Sequence, residues 1–547
     1  MTGILIDVGW IQVIQGGAVR DVGLREAVRD AHEFEDLDWA DPLVASSLMG
    51  LMLAIVREAT GFFRAADIVG ALGAGRFDGA LIDAYFDAHA DDFDLFHPDK
   101  PFFQVAGLEA TSGGPKPVSL IVPEIATGNN VPLFSSVSES SVAPLSVAEA
   151  ARRLISCQAW DTAAIKTGVK GDPKVSGGKT TGNPTGPLGQ LGVVTVIGAS
   201  LFETLVLNLP MISPVPGDRA AWAEPANPTW RERAAFGPLD LLTWQSRRVR
   251  LFPEAVDGMT VVTGVIVAAG DRLIPDASLE PRTAYRRIPK PKPGEAALRA
   301  RRPHAGAMGW RGLASMVTSG RSQGTDDYVV PPVIEGLQNL VNDGYLTSSH
   351  QLSVKLAGVE YGNQSAVIEN VLADRTPLPL VALDWTRGDP VRRLLEGMAL
   401  QAAAVAAALN RLADNLRLAS GGDKIPWDKG QRVGDRFVTG LEHSGDRVLA
   451  GLIAEPTKAQ EAGVAWEQLL RRDAWFVAGP LLDSASPESF LGRPESKPRP
   501  GAETKKQPVM LRQQSAEAFF RVALNKALPS TIPPPRLPAN ARAEESA

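Results

Sequence analysis

The sequence predicts an α+β protein. A large mixed α/β N-terminal domain spans residues 1–388, a C-terminal four-helix bundle spans 389–529, and a disordered tail spans 530–547. Three observations predict this. The 547 residues exceed what one core ordinarily organises. Alternating β-branched stretches and helical spacings are interleaved up to about Pro390. Beyond it the chain is Ala/Leu-rich and periodic at helical spacing.

The elements follow in chain order. ILIDVGWIQVI alternates and predicts a first strand. Residues 43–72 and 78–90 have helical spacing. The apolar stretch from Leu43 to Val56 is too short for a membrane span and reads as a buried helix. Residues 113–146, rich in Gly, Pro, Ser and Asn, predict a long loop, and residues 147–160 a helix. Residues 165–192, dense in Gly and Lys, predict a second long loop. Two such loops in a compact domain point to function. Residues 193–209 are apolar and mixed. Residues 249–275 predict a β-meander turning at Asp257-Gly258 and Gly270-Asp271. Four amphipathic segments then occupy 391–419, 434–454, 459–482 and 511–528, and the tail is Pro-rich and polar.

Composition excludes several function classes. Hydrophobic residues make up 44% and charged residues 22%, as in soluble globular proteins. With one cysteine, Cys157, there is no disulfide framework or cysteine-rich metal site. The N-terminus lacks the basic and apolar regions of a signal peptide, so a cytoplasmic location without membrane attachment is expected. The net charge of -6 disfavours a non-specific coat on nucleic acid but leaves room for local basic patches.

Catalytic constellations are absent. GGKTTG has Pro173 where a phosphate loop needs its first glycine, and Gly182, Pro184, Gly186 and Pro187 forbid the helix that must follow. None of the six histidines has helical metal-pair spacing, and there is no serine elbow. His97, before Pro98, reads as a turn histidine packing against Phe102 and Phe103. No enzyme activity, metal or cofactor is expected.

Three constellations point to nucleic acid. In residues 165–186, Lys166, Lys170, Lys174 and Lys179 face one acid, Asp172, among glycines that let a backbone approach a ligand closely. Such lysines position a protein on phosphates without reading sequence. A plain surface loop has the same composition. In residues 282–302, eight Arg and Lys residues surround Tyr285 against one acid, Glu295; such a run is commonly a solvated face. In residues 356–369, Gly362 presents Asn363 and Gln364, whose amides can address base edges. By itself this is a turn with two polar residues.

Several stretches, taken in order, resemble the CasA family, the large subunit of type I-E CRISPR Cascade. ILIDVGWIQV resembles the family's opening strand, and FHPDKPFFQVAGL its HPFxQ segment, with His97, Pro98, Phe102 and Gln104 near the matching places. ATGNNVPLF, residues 126–134, resembles its first long loop. SGGK resembles its glycine loop, LFETLVLNLP the apolar block beyond it, and GVEYGNQSAVIE its wedge turn.

The resemblance implies a non-catalytic subunit beside the guide RNA and other Cascade subunits. Such a subunit recognises the protospacer-adjacent motif (PAM) in double-stranded DNA from the minor groove, promotes duplex opening and R-loop formation, and supports recruitment of a nuclease-helicase. It implies DNA contacts at Gly177, Gly178, Lys179 and Lys174, a wedge at Gly362, Asn363 and Gln364, and contacts to the guide or a neighbouring subunit at Asn129, Asn130 and Phe134. The family's lysine finger aligns near Val265, where no lysine stands. Arg272 or the basic run from Arg282 is the candidate substitute. The alternative is another nucleic-acid-binding scaffold of a ribonucleoprotein.

Overall fold

The computed structural model describes residues 5–125, 142–292, 297–304, 308–317, 320–321, 327–347, 350–424, 432–494 and 510–532. The chain divides into two compact units, Met1–Trp385 and Thr386–Ala547.

The first unit is built on the helix Pro42–Thr60, buried from Leu43 to Arg57. Its start is written in the sequence. Asp41 accepts hydrogen bonds from the N–H groups of Leu43 and Val44, and Pro42 occupies the first turn, where its missing N–H costs nothing. The helix is longer than its apolar stretch, and it is the unit's core helix. The predicted helix over 43–72 is two helices, because the chain turns left-handed at Gly61 and restarts as Ala65–Ala74. The predicted first strand begins late, at Ile11. Residues 5–9 form turns, which the buried Trp10 indole ties down by donating to the Leu5 carbonyl at 2.8 Å.

Two antiparallel sheets flank this core. In one, Arg247–Val256 pairs with Met259–Ala269, whose far edge takes Lys116–Pro117 and Leu145–Ser146. The turn is at Asp257-Gly258 as the sequence predicts, but no third meander strand follows. Arg272–Leu273 pairs in parallel with Glu232–Arg233 instead. In the other sheet the order is Ile368–Leu378, Leu352–Tyr361, Val193–Ile197. The helix Val147–Trp160 forms as predicted, with Ser146 Oγ capping the Glu149 N–H. Its Trp160 packs with Leu43, Leu188, Val193, Ala357 and Val359, joining the core helix to the second sheet.

The second unit is helical. Asp389–Ala419 buries Val391, Leu395, Met398, Ala402, Val405, Leu409, Leu412 and Leu416. Alternating steps of four and three keep that stripe on one face. Val433–Thr439, Ala459–Asp483 and Gln513–Ala527 pack against this helix. The helix predicted over 434–454 is broken at Gly440 into Val433–Thr439 and Glu442–Ala454. Ser530, the first residue of the predicted tail, is held in place, since its N–H donates to the buried Glu467 carboxylate at 2.7 Å. Residues 533–547, where the rest of the tail was expected, lie outside the described residues.

Candidate nucleic-acid interface

Residues 165–192 are not the unbroken loop the composition suggested. Lys166–Thr167 pairs antiparallel with Lys179–Thr180, and Pro187–Leu191 forms a short helix. Ser176 and Lys179 exchange backbone hydrogen bonds at 3.0 and 3.1 Å, so Gly177 and Gly178 form the two-residue tip of a hairpin. Their φ values, +56° and +74°, are those of a primed hairpin turn, which glycine enters without a Cβ clash. Composition announced the glycines but not the pairing, because Gly and Lys carry no strand periodicity. A Cβ on Gly177 would meet open space; one on Gly178 would lie 2.8 Å from Ser112 Oγ.

The four lysines do different work. Lys166 is a correction. It is buried and bonds Asp161 Oδ2 at 2.6 Å, and Arg247 bonds the same oxygen. Burial pushes the Asp161 carboxyl up, but Lys166 and Arg247 together outweigh this and hold it below its ordinary range. Lys166 therefore anchors the hairpin base and is not a phosphate contact. Lys170 pairs with the exposed Glu109 at 2.7 Å. Lys174 is also turned inward at its amine. It donates to the Trp230 carbonyl at 2.6 Å and lies 3.7 Å from that ring's centroid. Arg272 lies 3.8 Å from the same centroid and donates to the Thr181 carbonyl at 2.9 Å, so it too is committed to the hairpin. Lys179, next to the tip, is exposed and has no ion-pair or hydrogen-bond partner for its amine among the described residues.

The second tip joins Leu352–Tyr361 to Ile368–Leu378. Asn363 and Gln364 are exposed there, and their amides make no hydrogen bond among the described residues. The expectation that Gly362 supplies the turn is corrected. Gly362 has an ordinary φ of -80°, and the left-handed residues are Gln364 (+53°) and Ser365 (+57°). A Cβ at Gly362 would meet only the Glu369 side chain, which is exposed and can turn aside, so neither φ nor space demands glycine there. The turn closes through Gly362 N–H to Val367 O at 2.9 Å and Ser365 N–H to Gly362 O at 2.7 Å. Ala163 N–H then bonds Ser365 O at 2.8 Å. Ala163 lies between Asp161 and Lys166, so one short segment fastens both tips.

The remaining expectations divide. Asn129, Asn130 and Phe134 lie outside the described residues. Val265 is fully buried, and its register partner on the next strand is Lys116. Lys116 is exposed and its amine has no partner among the described residues, a cation that alignment by sequence order missed because it arrives by strand pairing. Arg282 is buried beside Glu280 at 3.5 Å and is structural. The rest of that basic run contains a strand pair that sets Arg286 opposite Arg299. His97 Nδ1 accepts from the Asp99 and Lys100 N–H groups, a turn role. The buried Gln104 bridges Leu95 O and Leu251 N.

Comparison with known proteins identifies the family. The family model described as CRISPR-associated protein Cse1 matches residues 5–476. The chain belongs to the Cse1 family. A family relative, the CasA/Cse1 protein of Thermus thermophilus, is 34% identical over 266 residues. That alignment covers 47% of this chain and spans only half the length of the relative. The crystal structure of Thermobifida fusca Cse1 is 29% identical with a TM-score of 0.81, covering 97% of this chain and 98% of that one. The fold is also shared with a chain of a structure described as a CRISPR RNA-guided surveillance complex. There the TM-score is 0.69 at 21% identity, covering 89% of this chain and 96% of that one.

Proposed function

We propose that this chain is the large subunit of a type I-E CRISPR surveillance complex. It works in the cytoplasm with guide RNA and the other subunits. It reads a PAM in double-stranded DNA from the minor groove, opens the duplex beside it, and supports recruitment of a nuclease-helicase. Membership of the Cse1 family and the fold shared with the surveillance-complex chain support this reading. The observation that carries it is the shared anchor. A side-chain-free tip, Gly177-Gly178, and an amide-bearing tip, Asn363-Gln364, are both tied to residues 161–166.

The chemistry follows from the difference between the tips. A glycine backbone fits a narrow groove that side chains would block, and the minor groove's degenerate pattern makes PAM reading tolerant. Lys179, beside that tip, supplies a phosphate contact. Flat, unpartnered amides replace stacking and pairing partners when a base step is split, which otherwise costs a few kcal/mol. Guide-target pairing then replaces the lost DNA pairing almost evenly. This reading gives the subunit no hydrolytic step.

The test is a double Asn363→Ala, Gln364→Ala substitution in the reconstituted complex. R-loop formation on a fully paired target should fall, with partial rescue when the first pairs are mismatched in advance. Equal loss on closed and pre-opened targets overturns the wedge role.

A further inference from the structure

A cavity of about 340 Å³ lies where the two tips meet their anchor. Its walls include Ala366 and Ile368 from the wedge turn, Ile165 and Lys166 from the hairpin base, and the last turn of the helix Val147–Trp160. We infer that this cavity receives a single nucleobase, unstacked from the DNA strand as the duplex opens at the wedge. The inference rests on the function proposed above and adds a ligand site to it.

Size and lining carry the inference. The volume is that of a small-ligand pocket. Leu43, Trp160, Val267 and Ile368 give it apolar faces. Its polar groups are poised for a ring edge. The Ser119 hydroxyl has no hydrogen-bond partner among the described residues but is sealed from the cavity, so it backs the wall without facing a ligand. Ser156 is 4% exposed, and its hydroxyl also has no partner among the described residues. Buried hydroxyls are ordinarily satisfied, so the Ser156 hydroxyl has unused donor and acceptor capacity. Lys166 Nζ is a triple donor with one bond made, to Asp161.

Charge selects the ligand class. Lys166 and Arg247 share the single Asp161 carboxylate, so the floor keeps one net positive charge and suits the electron-rich carbonyl and ring-nitrogen edge of a base. The exposed lining residues, Lys116, Leu120 and Ile165, mark the opening. There the free Lys116 ammonium can meet the phosphate of a strand whose base is inside, while Leu120 and Ile165 cover the sugar. Enzymes that extrude bases hold them in the same manner, by edge hydrogen bonds between apolar walls.

The test uses the full chain assembled with guide RNA and the other subunits. PAM duplexes carry an abasic site at each of the first positions beside the PAM, in either strand. Wild-type complex should bind one of these abasic targets about tenfold more weakly than the intact target. Ser156→Phe fills the cavity from a helix away from both tips, and should bind intact and abasic targets alike, at the abasic level. Ser156→Ala guards against misfolding and should lose about threefold of the discrimination. PAM-dependent opening with no abasic position discriminated overturns the base site and leaves the proposed function standing. No PAM-dependent binding at all overturns the proposed function. Free adenosine and cytidine are titrated separately. Saturation at micromolar concentration, abolished by Ser156→Phe, reassigns the cavity to a free nucleoside and overturns the strand-base inference.

Discussion

The glycine hairpin and the wedge turn solve the same geometrical problem in opposite ways. Both reverse an antiparallel pair with two consecutive residues at positive φ. At Gly177-Gly178 the residues have no side chain, so the left-handed backbone is reached without strain and the tip is bare peptide. At Gln364-Ser365 the residues do have side chains, and each left-handed position costs about 1–2 kcal/mol. A turn that needed only to reverse the chain would use glycine there, and Gly362 lies two residues away with an ordinary φ. Strain kept beside an exposed amide pair marks a turn whose side chains are needed, whereas the absence of side chains marks one whose backbone is needed.

Six substitutions break or sharpen this comparison. The largest effect should come from the anchor both tips share. Lys166→Ala leaves Asp161 and Arg247 with an incomplete buried network and should lower unfolding free energy by about 3 kcal/mol, read from denaturant midpoints. PAM binding and duplex opening should fall together. Loss of one without the other would show that the tips are anchored independently.

The two glycines should separate next. Gly178→Val forces a β-branched residue to φ +74° against Ser112 and should destabilise by about 2 kcal/mol while abolishing binding. Gly177→Asn faces open space, and asparagine tolerates the left-handed region. Its stability should stay within about 0.5 kcal/mol of wild type, while PAM-dependent binding falls at least about tenfold, or 1.4 kcal/mol. Normal PAM binding by Gly177→Asn would remove this tip from the groove.

The wedge should respond in the opposite sense. Gln364→Gly relieves a strained φ and should raise stability by about 1 kcal/mol, measured by thermal unfolding, while slowing R-loop formation. A variant that is both more stable and equally fast would mean that the side chain at 364 has no part in opening.

The smallest effects concern the lysines. Lys179→Ala should weaken binding equally across PAM variants and reduce the salt-dependence slope by about one. Lys174→Ala should leave that slope unchanged, because its ammonium is already bonded to Trp230. A salt titration of both variants distinguishes the free cation from the committed one.

The sequence by itself determined what depends on local pattern. Asp41-Pro42 started the core helix, Ser146 capped the next one, and the four-three spacing from Val391 to Leu416 made one long helix with a single buried face. The motif order also made the family legible, because the resembling blocks are read one after another along the chain. Tertiary structure decided what depends on partners distant in sequence. Lys166 and Lys179 belong to the same glycine-rich stretch, yet only one is free, because Asp161 and Arg247 converge on the other. Lys116 comes beside Val265 across a strand pair, and Ser365 meets Ala163 by a single backbone bond. A lysine's charge is fixed by its chemistry, but whether that charge is available is fixed by its neighbours in space. Composition counts the first and cannot see the second.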